Sequence, residues 1–169
     1  MKLYNTNINI DINYLYKTIK WNKFKWKNIE DNSHLTYICK TNELDNVILN
    51  ELLKNLPKEI YNEIIEMDCW LNLYRSGNDY IDWHKDSLNL KPNIKIYTQY
   101  ILSIGSTRNL LFKNIETNEI YKFILENGSI FEFTNEENEN YLHCVPLVEN
   151  NSIDKYSNMR ISMVFYYGL

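Results

Sequence analysis

The stretch NLYRSGNDYIDWHKD, residues 72–86, decides the fold prediction for this chain. It begins inside the strand-like run CWLNLYR at 69–75, and the turn residues SGND follow. It ends in the pair His84-x-Asp86. Side chains two residues apart on a strand, or at its exit, point the same way, so this pair can reach one metal ion. A chance pair that includes a surface carboxylate is the alternative for this spacing taken alone.

A second histidine, His143, follows 57 residues after Asp86 in YLHCVP, residues 141–146, just past the strand-like run SIFEF. Two histidines and one carboxylate on one face form a 2-His-1-carboxylate triad. Such a triad suits Fe(II), because it leaves coordination positions open for a co-substrate and O₂.

Arg160 opens the apolar run RISMVFYY, residues 160–167, and is one of only three arginines in the chain. An arginine at a strand entrance can hold a carboxylate through two parallel hydrogen bonds. An ordinary surface arginine is the alternative.

The hydrophobic pattern changes along the chain from helical to strand-like periods. It predicts helices in 9–20 and 43–65, the second broken near Pro57, and strands at 23–27 and 35–39. Further short strand-like runs, separated by turn residues, lie at 69–75, 98–104, 109–114, 119–126, 129–133 and 160–167. Helices followed by this many short strands indicate a β-sandwich or jelly roll with helices on one face.

Residues 72–86 resemble the N-x-Y-x-x-G-x-D-x-I-x-x-H-x-D signature of the AlkB-like 2-oxoglutarate- and Fe(II)-dependent dioxygenases. The resemblance covers roughly 66–169 and, more loosely, the region before it. It continues in order through YILSIGSTRNLLF (100–112), LENGSIFEF (125–133), YLHCVP (141–146) and RISMVFY (160–166).

This resemblance implies an α+β fold: a double-stranded β-helix, or jelly-roll core, with N-terminal helices and a nucleotide-recognition lid. We expect one domain over 1–169, with the lid and supporting helices in 1–65 and the catalytic core in 66–169.

The resemblance also implies the site. Iron would be held by His84, Asp86 and His143, and 2-oxoglutarate by Asn72, Tyr74, Arg160 and Ser162, with Tyr74 and Arg160 on its distal carboxylate. A core tyrosine and a turn asparagine are the alternatives for Tyr74 and Asn72. The implied reaction uses O₂, releases succinate and CO₂, and removes an N-alkyl group from a base as an aldehyde.

The chain departs from the family pattern at two places. The last strand carries Ser162 where the family usually has asparagine, and Tyr166 where it has a second arginine. Ser87 and Leu88 stand where nucleic-acid repair members usually carry an acid after His-x-Asp. Losing the arginine and the acid together leaves neither as a buried unpaired charge. It also favours a neutral target, or an altered pocket, over a cationic base. Loss of the arginine weakens 2-oxoglutarate binding unless the Tyr166 hydroxyl replaces it.

The net charge of −4 hides an asymmetry, because residues 1–40 carry seven lysines and three acids. The segment KTIKWNKFKWK, 17–27, lies where the family's lid is expected. We predict that Lys23, Lys25, Lys27 and Trp26 bind single-stranded DNA or RNA through phosphate contacts and base stacking. A solvated lysine face over a buried Trp/Phe stripe is the alternative, and His34 is a further candidate for lining the lid.

Other features exclude several protein classes. No apolar run approaches the roughly 20 residues of a membrane span, and the N-terminus lacks a signal-peptide core. Three widely spaced cysteines favour free thiols in a reducing compartment. We therefore expect an intracellular protein, cytoplasmic or nuclear, and a monomer. The resemblance implies that it oxidatively demethylates nucleic acid. A protein-directed AlkB-like oxygenase, or a catalytically weakened binding module, is the alternative.

Overall fold

The computed structural model describes residues 1–26, 29–86, 97–148 and 159–167, with backbone alone for 25, 26 and 29–33. The strands of this part are β1 (Lys2–Asn5), β2 (Asn22–Trp26), β3 (Ile29–Lys40), β4 (Asp68–Tyr74), β5 (Ile81–His84), β6 (Thr98–Gly105), β7 (Arg108–Asn114), β8 (Ile120–Leu125), β9 (Ser129–Thr134), β10 (Tyr141–Val145) and β11 (Arg160–Tyr166). The helices are α1 (Ile12–Thr18), α2 (Asn46–Asn55), α3 (Lys58–Ile64) and α4 (Asn135–Asn140), with a 3₁₀ turn at Thr41–Glu43.

The N-terminal helices are shorter than predicted because local residues set their ends. The Asp11 side chain accepts a hydrogen bond from the Asn13 amide and so begins α1 after the predicted start. The break near Pro57 is confirmed. Leu56, the residue before it, is extended, as the proline ring requires, and α3 begins directly after Pro57.

The strands form two antiparallel sheets. The large sheet has the order β1-β9-β6-β11-β4-β3-β2, and the small sheet has the order β5-β10-β7-β8. In the large sheet β11 lies between β4 and β6, so Arg160 is directly opposite Tyr74 on one side and Gly105 on the other. The predicted jelly-roll core with N-terminal helices is confirmed.

The large sheet has a buried core on each face. One face packs against the helices through residues such as Leu15, Ile48 and Leu71. The other face meets the small sheet through an aromatic core around Phe112, Phe131, Phe133 and Tyr74. Strand alternation explains the division, because Leu71 and Leu73 point to the helices while Asn72 and Tyr74 point between the sheets.

The turn between β6 and β7 requires a glycine. Gly105 has a φ of +89°, and a Cβ placed there would lie 2.6 Å from the Met159 carbonyl oxygen. Because Gly105 has no side chain, Met159, which precedes β11, can lie directly against the end of β6. Arg160, the next residue, is thereby placed opposite Gly105 at this end of the large sheet.

The described helices are all too short and polar to cross a bilayer.

Candidate active site

The three side chains predicted to bind a metal lie together where β5 ends beside β10 in the small sheet. His84 on β5 and His143 on β10 are directly opposite each other, with ring centres 4.2 Å apart. The Asp86 Oδ1 lies 3.4 Å from the His84 Nε2 and 3.5 Å from the His143 Nε2. One ligand atom from each residue falls within 4.8 Å of the others. The arrangement is a 2-His-1-carboxylate set on one face.

The surroundings of these three residues suit a metal. The His84 Nδ1 lies 2.7 Å from the Asp82 carbonyl oxygen, which can only accept, so Nδ1 donates and the Nε2 lone pair is left for a metal. Burial raises the pKa of Asp86, but the two histidines outweigh it and hold this pKa well below its usual range. Asp86 is therefore ionised at neutral pH, as a metal ligand must be.

Aromatic packing fixes the His143 ring. Phe112 stacks against it at 5.2 Å between ring centres, and Phe133 meets it edge-on at 5.6 Å. His143 is 4% exposed, so the ring cannot turn into solvent. The apolar core between the sheets thus determines the orientation of one ligand.

The residues predicted to bind 2-oxoglutarate lie on the adjoining face of the large sheet. Asn72 is directly opposite Ser162 and donates to the Ser162 Oγ at 3.4 Å. The Arg160 Nε donates to the Ser103 Oγ at 2.9 Å, and its guanidinium carbon lies 5.1 Å from the Tyr74 ring centre. The structure therefore brings together the side chains of all four predicted residues.

The Arg160 guanidinium is a buried cation that needs an anion. Arg160 is 1% exposed, its Nη1 has no hydrogen-bond partner, and it has no carboxylate partner among the described residues. Burial lowers its pKa to about 10, which still leaves it charged at neutral pH. A buried charge without a partner costs several kcal/mol, on the order of 3–5. A carboxylate entering from the metal side would satisfy it, which fits the distal carboxylate of 2-oxoglutarate.

Arg108 is a second buried arginine in this region, and the sequence did not predict its role. Its Nη2 donates to the Asp79 carbonyl at 2.8 Å and to the Pro146 carbonyl at 2.7 Å. Its guanidinium carbon lies 5.3 Å from the Tyr74 ring centre. Arg108 therefore joins the β4–β5 connection to the chain after β10 and adds positive potential beside Tyr74 and Arg160.

Aromatic rings continue from Tyr74 towards the edge of the large sheet. The buried His34 ring stacks at 5.8 Å on Tyr74 and at 4.6 Å on Phe24. Phe24 lies 6.4 Å from Trp70, which in turn lies 6.5 Å from Tyr166. We call these five residues the aromatic wall. His34 and Trp70 were identifiable from strand alternation, since residues two and four positions from an inward residue share its face.

Tyr166 occupies the strand position where the family has its second arginine. It lies on the same face of β11 as Arg160 and Ser162. Burial and the nearby charges of Asp68 and Asp86 raise the pKa of Tyr166 to about 12, so it is neutral at physiological pH. The departure noted in the sequence thus exchanges a cation for a neutral hydroxyl near the triad.

The residues predicted to bind nucleic acid are only partly described. Lys23 is an exposed residue of β2. Lys25 and Trp26 also belong to β2, although their side chains lie outside the described part, and Lys27 is not described at all. Ser87 and Leu88 also lie outside the described residues. The nucleic-acid contacts stay a prediction.

Three comparisons with known proteins bear on this site. The family described as the 2OG-Fe(II) oxygenase superfamily matches residues 11–165. One subunit of the ATP-dependent helicase/nuclease of Clostridium botulinum (strain Loch Maree / Type A3) is 23% identical over 134 residues, 63% of this chain. The chain spans only 10% of the length of that protein.

Among solved structures, OsALKBH1 is similar with a TM-score of 0.46 and 21% identity, over 59% of this chain and 47% of that one. The Drosophila melanogaster CENP-C cupin domain is similar with a TM-score of 0.39 and 6% identity, over 57% of each chain.

The family match covers most of the chain and includes the triad, the buried arginine and the strands that carry them. Proteins of this family use Fe(II), 2-oxoglutarate and O₂, and His143 and Tyr74, which would contribute to the metal and co-substrate sites, both border the aromatic core between the sheets. The predicted relationship to 2-oxoglutarate- and Fe(II)-dependent enzymes is confirmed: the chain belongs to the 2OG-Fe(II) oxygenase superfamily.

Proposed function

We propose that this protein is a dioxygenase that oxidatively demethylates N-alkylated bases in nucleic acid, with single-stranded DNA or RNA favoured. The observation that carries the proposal is the aromatic wall, which leads from the co-substrate residue Tyr74 towards the edge strand β2. Phe24 and Trp70 are the half-buried rings of the wall, on which an extruded base would stack, and extrusion costs least from a single strand. Lys17 and Lys20 precede this edge strand, Lys23 and Lys25 belong to it, and we propose that these lysines meet the phosphates.

The chain's own residues would supply binding and orientation. His84, Asp86 and His143 would hold Fe(II), which when bound enables O₂ to oxidise 2-oxoglutarate to succinate and CO₂ while one oxygen atom enters a substrate C–H bond. Arg160 would receive the distal carboxylate, because Ser103 already occupies its Nε and its Nη1 is left to donate. Tyr74 is fixed against Arg160 and closes the cleft on that side.

The product would then break down without further help from the protein. Hydroxylation converts N–CH₃ to N–CH₂OH, and the C–N bond of this group breaks to give formaldehyde and the N–H base. The chain carries Ser87 and Leu88 in place of the acid that would favour a cationic base, and Tyr166 is neutral. We therefore expect a neutral alkylated base in preference to a cationic one.

A succinate-release assay with single-stranded oligonucleotides tests the proposal. Fe(II)-loaded protein is offered DNA and RNA strands that carry one methylated base each, and the products are weighed by mass spectrometry. We expect succinate release coupled to loss of one methyl group from at least one strand, and no release by the His84→Ala variant. Succinate release that stays at the substrate-free level with every strand would contradict the nucleic-acid assignment.

A second candidate function rests on the Ser162 and Tyr166 departures. If these changes weaken the co-substrate site, the protein is a binding module; if the site is intact but nucleic acid is not turned over, the protein is an oxygenase directed at protein. Titration of 2-oxoglutarate into metal-loaded protein separates the possibilities, since an enzyme requires saturable binding below millimolar concentration. Tight 2-oxoglutarate binding together with turnover of peptides, but not of oligonucleotides, would favour the protein-directed alternative.

A further inference from the structure

The short helix α4 connects β9 to β10 and approaches the metal residues from outside the sheets. Its first turn is closed by a capping box, in which the Thr134 Oγ1 accepts from the Glu137 amide and the Glu137 carboxylate accepts from the Thr134 amide. This rigid start fixes the next residue, Asn138, which is 1% exposed. A buried asparagine needs partners for its amide group.

Asn138 finds both partners on the backbone of Asp86. The Asp86 amide donates to the Asn138 Oδ1 at 3.0 Å, and the Asn138 Nδ2 donates to the Asp86 carbonyl oxygen at 3.1 Å. One carboxamide thus holds both backbone polar groups of a single residue, as a neighbouring strand would. We call this pair of hydrogen bonds the Asn138 clasp.

Asp86 needs such support because the strand ends before it. β5 finishes at His84, where the pairing with His143 stops. The two histidines are therefore placed by the sheet, whereas Asp86 lies two residues beyond it. Nearby, the Lys85 Nζ donates to the Glu139 carboxylate at 3.3 Å, but this pair is exposed and contributes little. Among the described residues, the partly buried clasp is the contact that holds the Asp86 backbone on both its polar groups.

We infer that Asn138 is a positioning residue that sets the Asp86 carboxylate in the geometry needed to bind the metal. The clasp also links Asp86 to His143, because Asn138 lies on the helix that leads directly into β10, five residues before His143. The inference rests on the assignment of His84, Asp86 and His143 as the metal ligands. Groups that orient ligands in this way typically change metal affinity 10- to 100-fold, roughly, when removed.

Metal titration of four proteins tests the inference. Co(II) is added to the metal-free full-length chain and binding is followed by visible absorption. The proteins are the unaltered chain, Asn138→Ala, Asn138→Asp and the control Asn140→Ala, an exposed asparagine on the same helix. We expect the Asn138 variants to bind Co(II) about 10- to 100-fold more weakly and the control to bind unchanged. Asn138→Asp keeps the size and one acceptor but places an oxygen against the Asp86 carbonyl.

Thermal unfolding of the metal-free proteins separates positioning from general support. A positioning role predicts a small loss of Tm without metal and a reduced rise in Tm when Co(II) is added. A loss of Tm with an unchanged Co(II) affinity would overturn the inference, and so would failure of both Asn138 variants to fold, because Asn138 would then serve folding alone. The His84→Ala variant tests separately whether His84, Asp86 and His143 are the metal ligands. Unchanged Co(II) binding in that variant would show that the metal site itself is misassigned.

Discussion

At the scale of one residue, the buried Arg160 guanidinium is the group that we propose binds the distal carboxylate of 2-oxoglutarate. The planar fork of arginine matches a carboxylate, whereas lysine offers a point charge. We expect Arg160→Lys to weaken 2-oxoglutarate binding by about 1.5–3 kcal/mol, which corresponds to about 10- to 150-fold in Kd. Calorimetric titration of 2-oxoglutarate into Mn(II)-loaded protein measures this change. Arg75→Lys is the control, because Arg75 pairs with Asp79 at the half-exposed turn. Equal affinities in the two variants would refute the role of Arg160.

Tyr166 tests whether a hydroxyl replaces the missing second arginine. A neutral hydrogen bond contributes about 0.5–1.5 kcal/mol, so Tyr166→Phe should raise the Kd for 2-oxoglutarate by about 2- to 12-fold. The ring itself, which packs near Trp70, is kept in this variant. The same calorimetric titration provides the measurement. An unchanged Kd would show that Tyr166 only shapes the substrate side of the cleft.

The sequence predicted individual site residues where short spacing reflects shared orientation. The spacing of His84 and Asp86 predicted that both reach one ion, although β5 ends at His84 and Asp86 lies beyond the strand. Arg160 stood out as a rare charge at the start of an apolar run. Arg108 was not predictable in the same way, because its partners are backbone carbonyls of Asp79 and Pro146, which are 29 and 38 residues away. Such a role depends on tertiary approach and leaves no local pattern.

Among the elements, β7 supports the triad through Phe112. Its Phe112 is fully buried, contacts Phe131 and Phe133, and stacks on His143. Replacing a core phenylalanine by alanine typically costs about 3–5 kcal/mol. We expect Phe112→Ala to lower the free energy of unfolding by this amount in urea titrations. Ile124→Ala on the neighbouring β8 is the matched control, since Ile124 is 49% exposed. Similar losses in both variants would contradict this account of the core.

Element prediction succeeded where apolar residues recur and failed where they do not. The strands around β4, β6, β7 and β11 were predicted within one or two residues. β1, α4 and β10 were missed. The α4 sequence NEENEN has no apolar residue, so no hydrophobic period reveals it. Its capping box and the hydrogen bonds of Asn138 stabilise it instead, and these form only in the folded chain.

At the scale of the whole molecule, charge is divided between the two parts of the chain. Residues 1–40 carry a net charge of +4 and residues 41–169 a net charge of −8. The positive charge of 1–40 is densest in 17–27, which carries five lysines and no acid. Part of this segment is β2, an edge strand of the large sheet next to the aromatic wall. Under the proposed function, a polyanion would meet this edge in preference to the acidic remainder of the chain.

The lysines of the segment 17–27 supply the last prediction. Each phosphate contact to a single strand contributes about 0.7 to the slope of log K against log salt. Changing Lys23, Lys25 and Lys27 together to Glu should therefore reduce that slope by about 2 and weaken oligonucleotide binding, while 2-oxoglutarate binding stays unchanged. Fluorescence anisotropy with a labelled single strand at several salt concentrations provides the measurement.

A second triple variant makes this result specific to the edge. Lys54, Lys58 and Lys122 are exposed lysines outside this segment, and changing all three to Glu alters the net charge by the same amount. If position matters, this control keeps most of the salt slope and affinity. Equal loss in both variants would mean that total charge alone governs binding, and an unchanged slope in the first would remove the lysines of 17–27 from the nucleic-acid interface. Only a larger loss of affinity and salt slope in the first variant supports a path for the oligonucleotide past β2.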